Sequence, residues 1–241
     1  AHLKHYYADI VLNQNLHAEQ LHYSCEPYTR LLLGTRYVLL RREFLAWRDW
    51  KREIPEVARR VLVTLGGADP ENHTHRVIQA LQRVDVPGLE GVAVIGVSNP
   101  HADVLEAATR ESHIPIHLIR DVKNMPELMA WADLAVSSAG TTVWELIFMA
   151  LPSLFMIVAE NQLFAAKVLN HFGRIVIARS WDQMLFVHYL GRLLTSMKLR
   201  EDVSMLSRTV VDGLGPSKVI ATIRGYSPVS PSSNRLGGPI R

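Results

Sequence analysis

Short apolar runs alternate with amphipathic stretches along most of this 241-residue chain. Runs rich in Val, Ile and Leu are typical of buried strands, whereas apolar positions spaced three or four apart are typical of helices. From residue 60 onward the pattern predicts strands at 61–65, 92–95, 114–119, 134–137, 153–158 and 175–178. It predicts helices at 72–82, 102–110, 125–131, 142–150, 162–171, 182–194, 199–211 and 216–224. This alternation predicts an α/β fold with a doubly wound parallel sheet.

The two ends of the chain depart from this pattern. The apolar run at 8–12 predicts one further strand, which either joins the main sheet or belongs to a sheet whose earlier strands are missing. Residues 226–241 are rich in Ser, Pro and Gly. They have too little apolar surface to offset the entropy of ordering, so we expect a disordered tail.

Composition narrows the function classes. With 48% hydrophobic and 20% charged residues, the chain is expected to form an ordinary globular core. Cys25 is the single cysteine, which excludes a disulfide scaffold and a thiolate zinc site and favours a cytoplasmic location. His73 and His75 are two positions apart on a predicted helix and so do not share a face, and we predict no metal site.

The charged residues say less than the composition about the function class of the protein. The 26 basic and 23 acidic residues predict a mixed surface, and no nucleic-acid motif accompanies the net charge of +3, so no nucleic-acid partner is expected. Basic residues concentrate between 36 and 60, which favours an anionic partner, either a small anion or a membrane headgroup. The apolar run at 146–158 is shorter than the ~20 residues that a membrane span requires.

In a doubly wound sheet, ligands bind where strands end and helices begin, and three such junctions have unusual sequences. The first contains Gly66, Gly67 and Asp69. The glycines allow a tight turn and close approach of a ligand, and the following helix offers free N–H groups to an anion. The alternative is a plain turn in which Asp69 or Asn72 caps the helix.

The second junction has small residues throughout 137–140, followed by Thr141 and Thr142 at the start of a helix. This pattern favours a nest of backbone and hydroxyl donors that fits a diphosphate. Glu145 lies one turn inside the helix, where its carboxylate could accept both hydroxyls of a ribose. Alternatively, Thr142-x-x-Glu145 is a capping box, in which Glu145 folds back onto the Thr142 backbone.

The third junction contains Asn161 and Gln162, before the helix predicted at 162–171. Their amide groups donate and accept hydrogen bonds, as recognition of sugar hydroxyls requires. The alternative role for the pair is to cap that helix.

These junctions, in this order, resemble the nucleotide-binding half of GT-B glycosyltransferase-like proteins, namely the glycosyltransferase family 28 C-terminal domain. The resemblance is closer still to the family of the UDP-sugar hydrolase of pseudaminic acid biosynthesis and the spore coat polysaccharide biosynthesis protein G. The stretches that carry it are 31–44, 66–69, 125–133, 138–145 and 161–162. It implies a remnant of an N-terminal Rossmann-like domain and an interdomain segment at 1–45, and a UDP-sugar-binding Rossmann-like domain at 46–225.

The resemblance also implies roles for individual residues, with UDP-sugar as substrate and no cofactor. The backbone of Val122 meets uracil, Glu145 takes the ribose hydroxyls, and Asn161 and Gln162 face the sugar. The residues implied to lie near the diphosphate are Gly66, Gly67, Asp69, Ser138, Ala139, Gly140, Thr141 and Thr142.

The activity implied is hydrolysis of an activated amino sugar with release of UDP, for glycan or polysaccharide biosynthesis. Two alternatives stay open: glycosyl transfer to an acceptor, and a module that binds UDP without turnover. In the hydrolases the catalytic histidine lies in an N-terminal region that the resemblance implies to lie before residue 1, and His17 does not match that position. No catalytic residue and no oligomeric state are therefore predicted.

Overall fold

A computed structural model describes residues 3–162, 175–177, 181–208 and 210–225 of the chain. Most of the helix predicted at 162–171 and the whole tail predicted at 226–241 lie outside these residues. The proposed division at residue 45 also stays a prediction.

The main sheet has six parallel strands, in the order β5-β4-β3-β6-β7-β8. They are β3 (Arg60–Thr64), β4 (Glu90–Ile95), β5 (Ile116–Arg120), β6 (Leu134–Ser138), β7 (Ser153–Met156) and β8 (Ile175–Ile177). The helices are α1 (His73–Leu81), α2 (Ala102–Arg110), α3 (Met125–Trp131), α4 (Thr142–Phe148), α5 (Gln183–Thr195), α6 (Met197–Arg208) and α7 (Gly215–Arg224). The predicted doubly wound α/β fold is confirmed.

Both faces of this sheet are covered. Val61 and Val63 of β3 are fully buried in a cluster with apolar residues of α1 and α5. Leu62, between them, is fully buried in a second cluster with residues of α3 and α4. Successive side chains of a strand point to opposite faces, so a strand covered on both sides reads as a continuous apolar run.

The strand order reverses beside β3. The chain passes from β3 to β4 and β5 on one side and then returns to place β6 on the other side of β3. Thr64 of β3 is in register with Ser137 of β6, so the loops that follow these two strands begin side by side. Ligands of open α/β sheets bind at such a switch point, in the crevice between the two loops.

A separate sheet precedes this domain. The strands β1 (Ile10–Asn13) and β2 (Arg30–Leu33) pair in parallel, and neither pairs with the main sheet within the described ranges. The expectation that β1 could join the main sheet is therefore wrong, and β2 was not predicted as a strand. Two short 3-10 turns, Thr35–Tyr37 and Arg42–Trp47, follow β2 and lead toward the main domain.

The segment between the two sheets is fixed on the domain by close backbone contact and by an arginine. A Cβ at Gly215, the first residue of α7, would lie 2.1 Å from the Val38 carbonyl oxygen. The Arg52 guanidinium donates to the carbonyls of Met149, Ala132 and Met129, which lie at the ends of α4 and α3. A cation is favourable at helix C-termini, so Arg52 stabilises the positions of both helices.

The apolar run at 146–158 divides between the end of α4 and strand β7. Across the described part of the chain, no helix combines the length and the apolar character needed to cross a bilayer.

Candidate functional site

The Gly66–Gly67 turn follows β3, and its two glycines have different surroundings. Gly66 has φ +99°, in the left-handed region that favours glycine, and a Cβ there would meet no atom within 4 Å. Gly67 instead packs against Gly96 of the neighbouring loop, and its carbonyl accepts the Gly96 N–H at 3.1 Å. Open space lies beside Gly66, whereas Gly67 contacts the loop that follows β4.

Asp69 faces the start of α1. Its side chain is buried, and its two carboxylate oxygens accept the backbone N–H groups of His73 and Thr74 at 2.9 and 2.8 Å. Of the two roles that the sequence left open, these contacts match the helix cap. The assignment of Asp69 to the ligand cleft is corrected accordingly, because the carboxylate already satisfies the N–H groups that an anion would use.

The second junction begins α4 without a side-chain cap. Thr141 is the N-cap residue, and its side chain makes no capping hydrogen bond. The capping box between Thr142 and Glu145 is not formed, since the two oxygens of Glu145 accept hydrogen bonds from Arg41 instead. Ser138 and Ala139 are buried at the end of β6, and the Ala139 N–H donates to the Met156 carbonyl at 3.0 Å.

The structure brings the second and third junctions together. A Cβ at Gly140 would lie 3.6 Å from Ser138 Oγ and 3.8 Å from Gln162 Nε2. Gln162 Oε1 accepts the Val158 N–H at 3.0 Å, which fixes its amide with the nitrogen toward Gly140. The side chain of Asn161 lies outside what the structure describes, so its predicted role stays a prediction.

Val122 lies after β5, at the same edge of the sheet as the other junctions. It packs against the apolar cluster that contains Met125, the first residue of α3. Met125 in turn lines a cavity of about 420 Å³, and Thr141, Thr142 and Glu145 line the same cavity. Val122 and Met125 thus belong to the same apolar cluster, and Met125 reaches the cavity.

The cavity is also lined by four residues that precede the main sheet and that sequence reasoning did not assign to a site. They are Gln14, Leu39, Leu40 and Arg41. Gln14 follows β1, and its Oε1 accepts the Leu39 N–H at 2.8 Å, which holds the segment at the mouth of the cavity. The signal that could have found Gln14 is its position directly after a strand, where open sheets place ligand contacts.

Arg41 and Glu145 form a two-pronged ion pair inside this cavity. Arg41 Nε donates to Glu145 Oε1 at 2.7 Å, and Arg41 Nη2 donates to Glu145 Oε2 at 3.2 Å. The Glu145 side chain is 14% exposed and that of Arg41 is 46% exposed. The hydrogen bond to Glu145 is the main reason that the pKa of Arg41 lies above its ordinary value, against the opposing effect of burial.

Arg41 has two further contacts. Its Nη1 lies 3.1 Å from Glu43 Oε1, and its guanidinium carbon lies 5.3 Å from the centre of the Phe44 ring. The sequence placed Arg41 in a basic region facing an anion, and the anion that it contacts is a carboxylate of its own chain. Contact of the remaining basic residues with an anionic membrane stays a prediction, as does the lack of a nucleic-acid partner.

Comparisons with known proteins concern the family and the fold. Residues 61–180 match the glycosyltransferase family 28 C-terminal domain. The chain is 26% identical over 222 residues to the spore coat polysaccharide biosynthesis protein SpsG of Bacillus subtilis strain 168, a match that covers 90% of this chain and 65% of SpsG.

Solved structures share the fold. MurG of Acinetobacter baumannii matches with a TM-score of 0.66 at 17% identity, over 91% of this chain and 61% of MurG. HepE of Anabaena, solved in complex with UDP-glucose, matches with a TM-score of 0.54 at 13% identity, over 91% of this chain and 64% of HepE. The chain thus spans less than two thirds of the length of each of these proteins.

Proposed function

Because this chain is related to the GT-B nucleotide-sugar enzymes, we propose that it binds a UDP-sugar in the cavity beside α4. The observation that carries this proposal is the position of Glu145. It lies one turn inside the helix that follows β6, at the switch point of the sheet, with its carboxylate in the cavity. A carboxylate accepts two hydrogen bonds side by side, as the adjacent hydroxyls of a ribose require.

The other parts of the ligand follow from this anchor. The diphosphate would lie over Ser138–Thr142 and beside Gly66, where small side chains and the uncapped start of α4 leave backbone donors accessible. The uracil would extend toward Val122. Gln162, whose amide nitrogen faces Gly140, would contact the sugar together with Asn161.

The proposed reaction breaks the bond between the anomeric carbon of the sugar and the diphosphate oxygen. UDP leaves with the bonding electron pair, and an acceptor oxygen forms the new bond to carbon while its proton passes to a base. Donors around the diphosphate stabilise the charge that develops on the leaving group. The described residues suggest no candidate for that base, so the base stays unassigned.

The acceptor decides between two versions of this reaction. An acceptor hydroxyl gives glycosyl transfer, which the match to a family 28 glycosyltransferase domain favours. Water as the acceptor gives hydrolysis, the finer proposal. It rests on the resemblance to UDP-sugar hydrolases that the stretches 31–44, 66–69, 125–133, 138–145 and 161–162 carry together. We propose a place in polysaccharide or glycan biosynthesis for either version.

Turnover is tested by incubating the chain with a UDP-activated amino sugar such as UDP-N-acetylglucosamine and measuring release of UDP. Release in buffer alone supports hydrolysis, and release that requires an added acceptor supports transfer. Binding of UDP, measured by calorimetry, without release of UDP indicates a binding module. If UDP binds no better than CMP, the proposal fails, because the site would then not recognise uridine.

A further inference from the structure

The ion pair between Arg41 and Glu145 joins two parts of the chain across the candidate site. Arg41 belongs to the segment that connects the small sheet with the main domain, and Glu145 belongs to α4. Both side chains line the same cavity. The group that is proposed to bind the ribose is therefore already paired with a side chain of the protein.

A carboxylate has one edge at which a single partner can contact both oxygens. The guanidinium of Arg41 uses that edge, with Nε on one oxygen and Nη2 on the other. The two hydroxyls of a ribose need the same two oxygens from the same side. The arginine and the ribose cannot occupy Glu145 in this way at the same time, so one must displace the other.

We infer that Arg41 is a latch that closes the nucleotide site and is displaced by the ribose of an incoming nucleotide. This inference rests on the proposed function of Glu145. Displacement does not leave Arg41 without partners, since Glu43 and the Phe44 ring lie next to it on the same segment. The backbone around Leu39 is held by Gln14, so the change is confined mainly to the arginine side chain.

The latch predicts that loss of Arg41 strengthens the binding of uridine. Uridine is a suitable probe because it carries the ribose and no charge. Arg41→Ala should lower the Kd for uridine in an NMR titration about two- to fivefold, the range expected for breaking a partly exposed two-pronged ion pair. Arg42→Ala is the matched control, because Arg42 is exposed and adjacent in sequence. Its substitution removes the same charge as Arg41→Ala. It should leave the Kd unchanged.

Salt gives a second readout. Ionic strength screens the Arg41–Glu145 pair, so the unmodified chain should bind uridine more tightly at 0.5 M than at 0.05 M NaCl. The Debye length is about 4 Å at the higher concentration and about 14 Å at the lower one. Arg41→Ala should show no such gain. A structural role for Arg41 alone would not produce a salt dependence that disappears with the side chain.

Two results separate failure of the latch from failure of the proposed function. If uridine binds but Arg41→Ala binds it equally or more weakly, and the salt dependence is flat, the latch is overturned while the site stands. If uridine binds to neither protein at either salt concentration, the proposed function fails and the latch falls with it.

Discussion

Gly96 packs directly against Gly67, the residue that supports the turn after β3. The Gly96 N–H donates to the Gly67 carbonyl at 3.1 Å, and a Cβ at Gly96 would lie 2.5 Å from that oxygen and 2.8 Å from the Gly67 Cα. The backbones of two neighbouring loops can approach this closely only where no side chain intervenes. The shape of the turn beside the proposed diphosphate position therefore depends on a residue outside it.

Gly96→Ala should displace this turn. The added methyl group meets backbone atoms that cannot move independently, so we expect a loss of about 1–3 kcal/mol in the free energy of unfolding, measured by urea denaturation. The control is Gly191→Ala in α5, where the new Cβ would lie 3.8 Å from Val84 Cγ1, an ordinary contact distance. That substitution should be neutral or stabilise the chain by about 0.4–1 kcal/mol. Equal stability losses in the two variants would contradict this account of Gly96.

Asp69 is expected to act through the helix cap and not through a ligand. Asp69→Ala leaves the N–H groups of His73 and Thr74 without acceptors and should cost about 1–2 kcal/mol of stability. Asp69→Ser keeps a capping oxygen and should recover most of that loss. Thermal unfolding of the two variants measures the difference. If serine is as destabilising as alanine, Asp69 does more than cap α1.

Arg52 is expected to matter for stability more than its position in a basic segment suggests. Arg52→Met removes the donor for three carbonyl oxygens at the ends of α3 and α4, which should cost about 2–4 kcal/mol of unfolding free energy. Arg48→Met is the control, because the hydrogen bond from Arg48 to the Gly213 carbonyl is long, at 3.5 Å. A similar small effect in both variants would show that the carbonyls find other donors.

The main sheet could be predicted from the sequence because its strands and helices are encoded by local apolar patterns. The predicted bounds of α2 and α3 match the structure, since both helices have polar or proline signals at their starts. Strand β2 was missed although it is as long as β1, which was predicted. Its signal was the leucine run that ends at Gly34, a glycine with φ +89°.

The candidate site was predictable only in part. The junctions at Gly66, Gly140 and Gln162 follow from the rule that open sheets bind ligands at strand ends. The partner of Glu145 was not predictable, because Arg41 lies 104 positions away and no local pattern relates the two. For the same reason the local pattern could not decide between a capping box and a ribose-binding carboxylate at Glu145. The capping box is not formed, and the ribose contact stays a prediction.

Asp212 is expected to give a small dependence of stability on acid pH. Burial raises the pKa of this carboxyl, but hydrogen bonds from Lys218 Nζ and the Leu214 N–H outweigh that effect and lower the pKa below its ordinary value. The carboxylate therefore stabilises the fold above its unfolded pKa of about 4, and this contribution is lost as the pH falls through the lower folded value. Because the pair is partly exposed, the contribution should be below about 1 kcal/mol.

The comparison of the unmodified chain with Asp212→Asn measures this contribution. The difference in their unfolding free energies should be present at pH 7 and should shrink as the pH falls below about 4. A difference that stays constant over this range would show that the charge of Asp212 does not contribute.

The central claim, that Glu145 binds the ribose of a uridine nucleotide, is tested most directly by calorimetry with UDP and 2′-deoxy-UDP. 2′-Deoxy-UDP lacks one of the two hydroxyls that are proposed to bind Glu145, so the ratio of the two affinities reports the loss of that contact. The unmodified chain should bind UDP about tenfold or more tightly than 2′-deoxy-UDP, the value of one hydrogen bond to a charged acceptor. In Glu145→Ala the two affinities should become equal. A ratio that is the same with and without the Glu145 carboxylate would contradict the account.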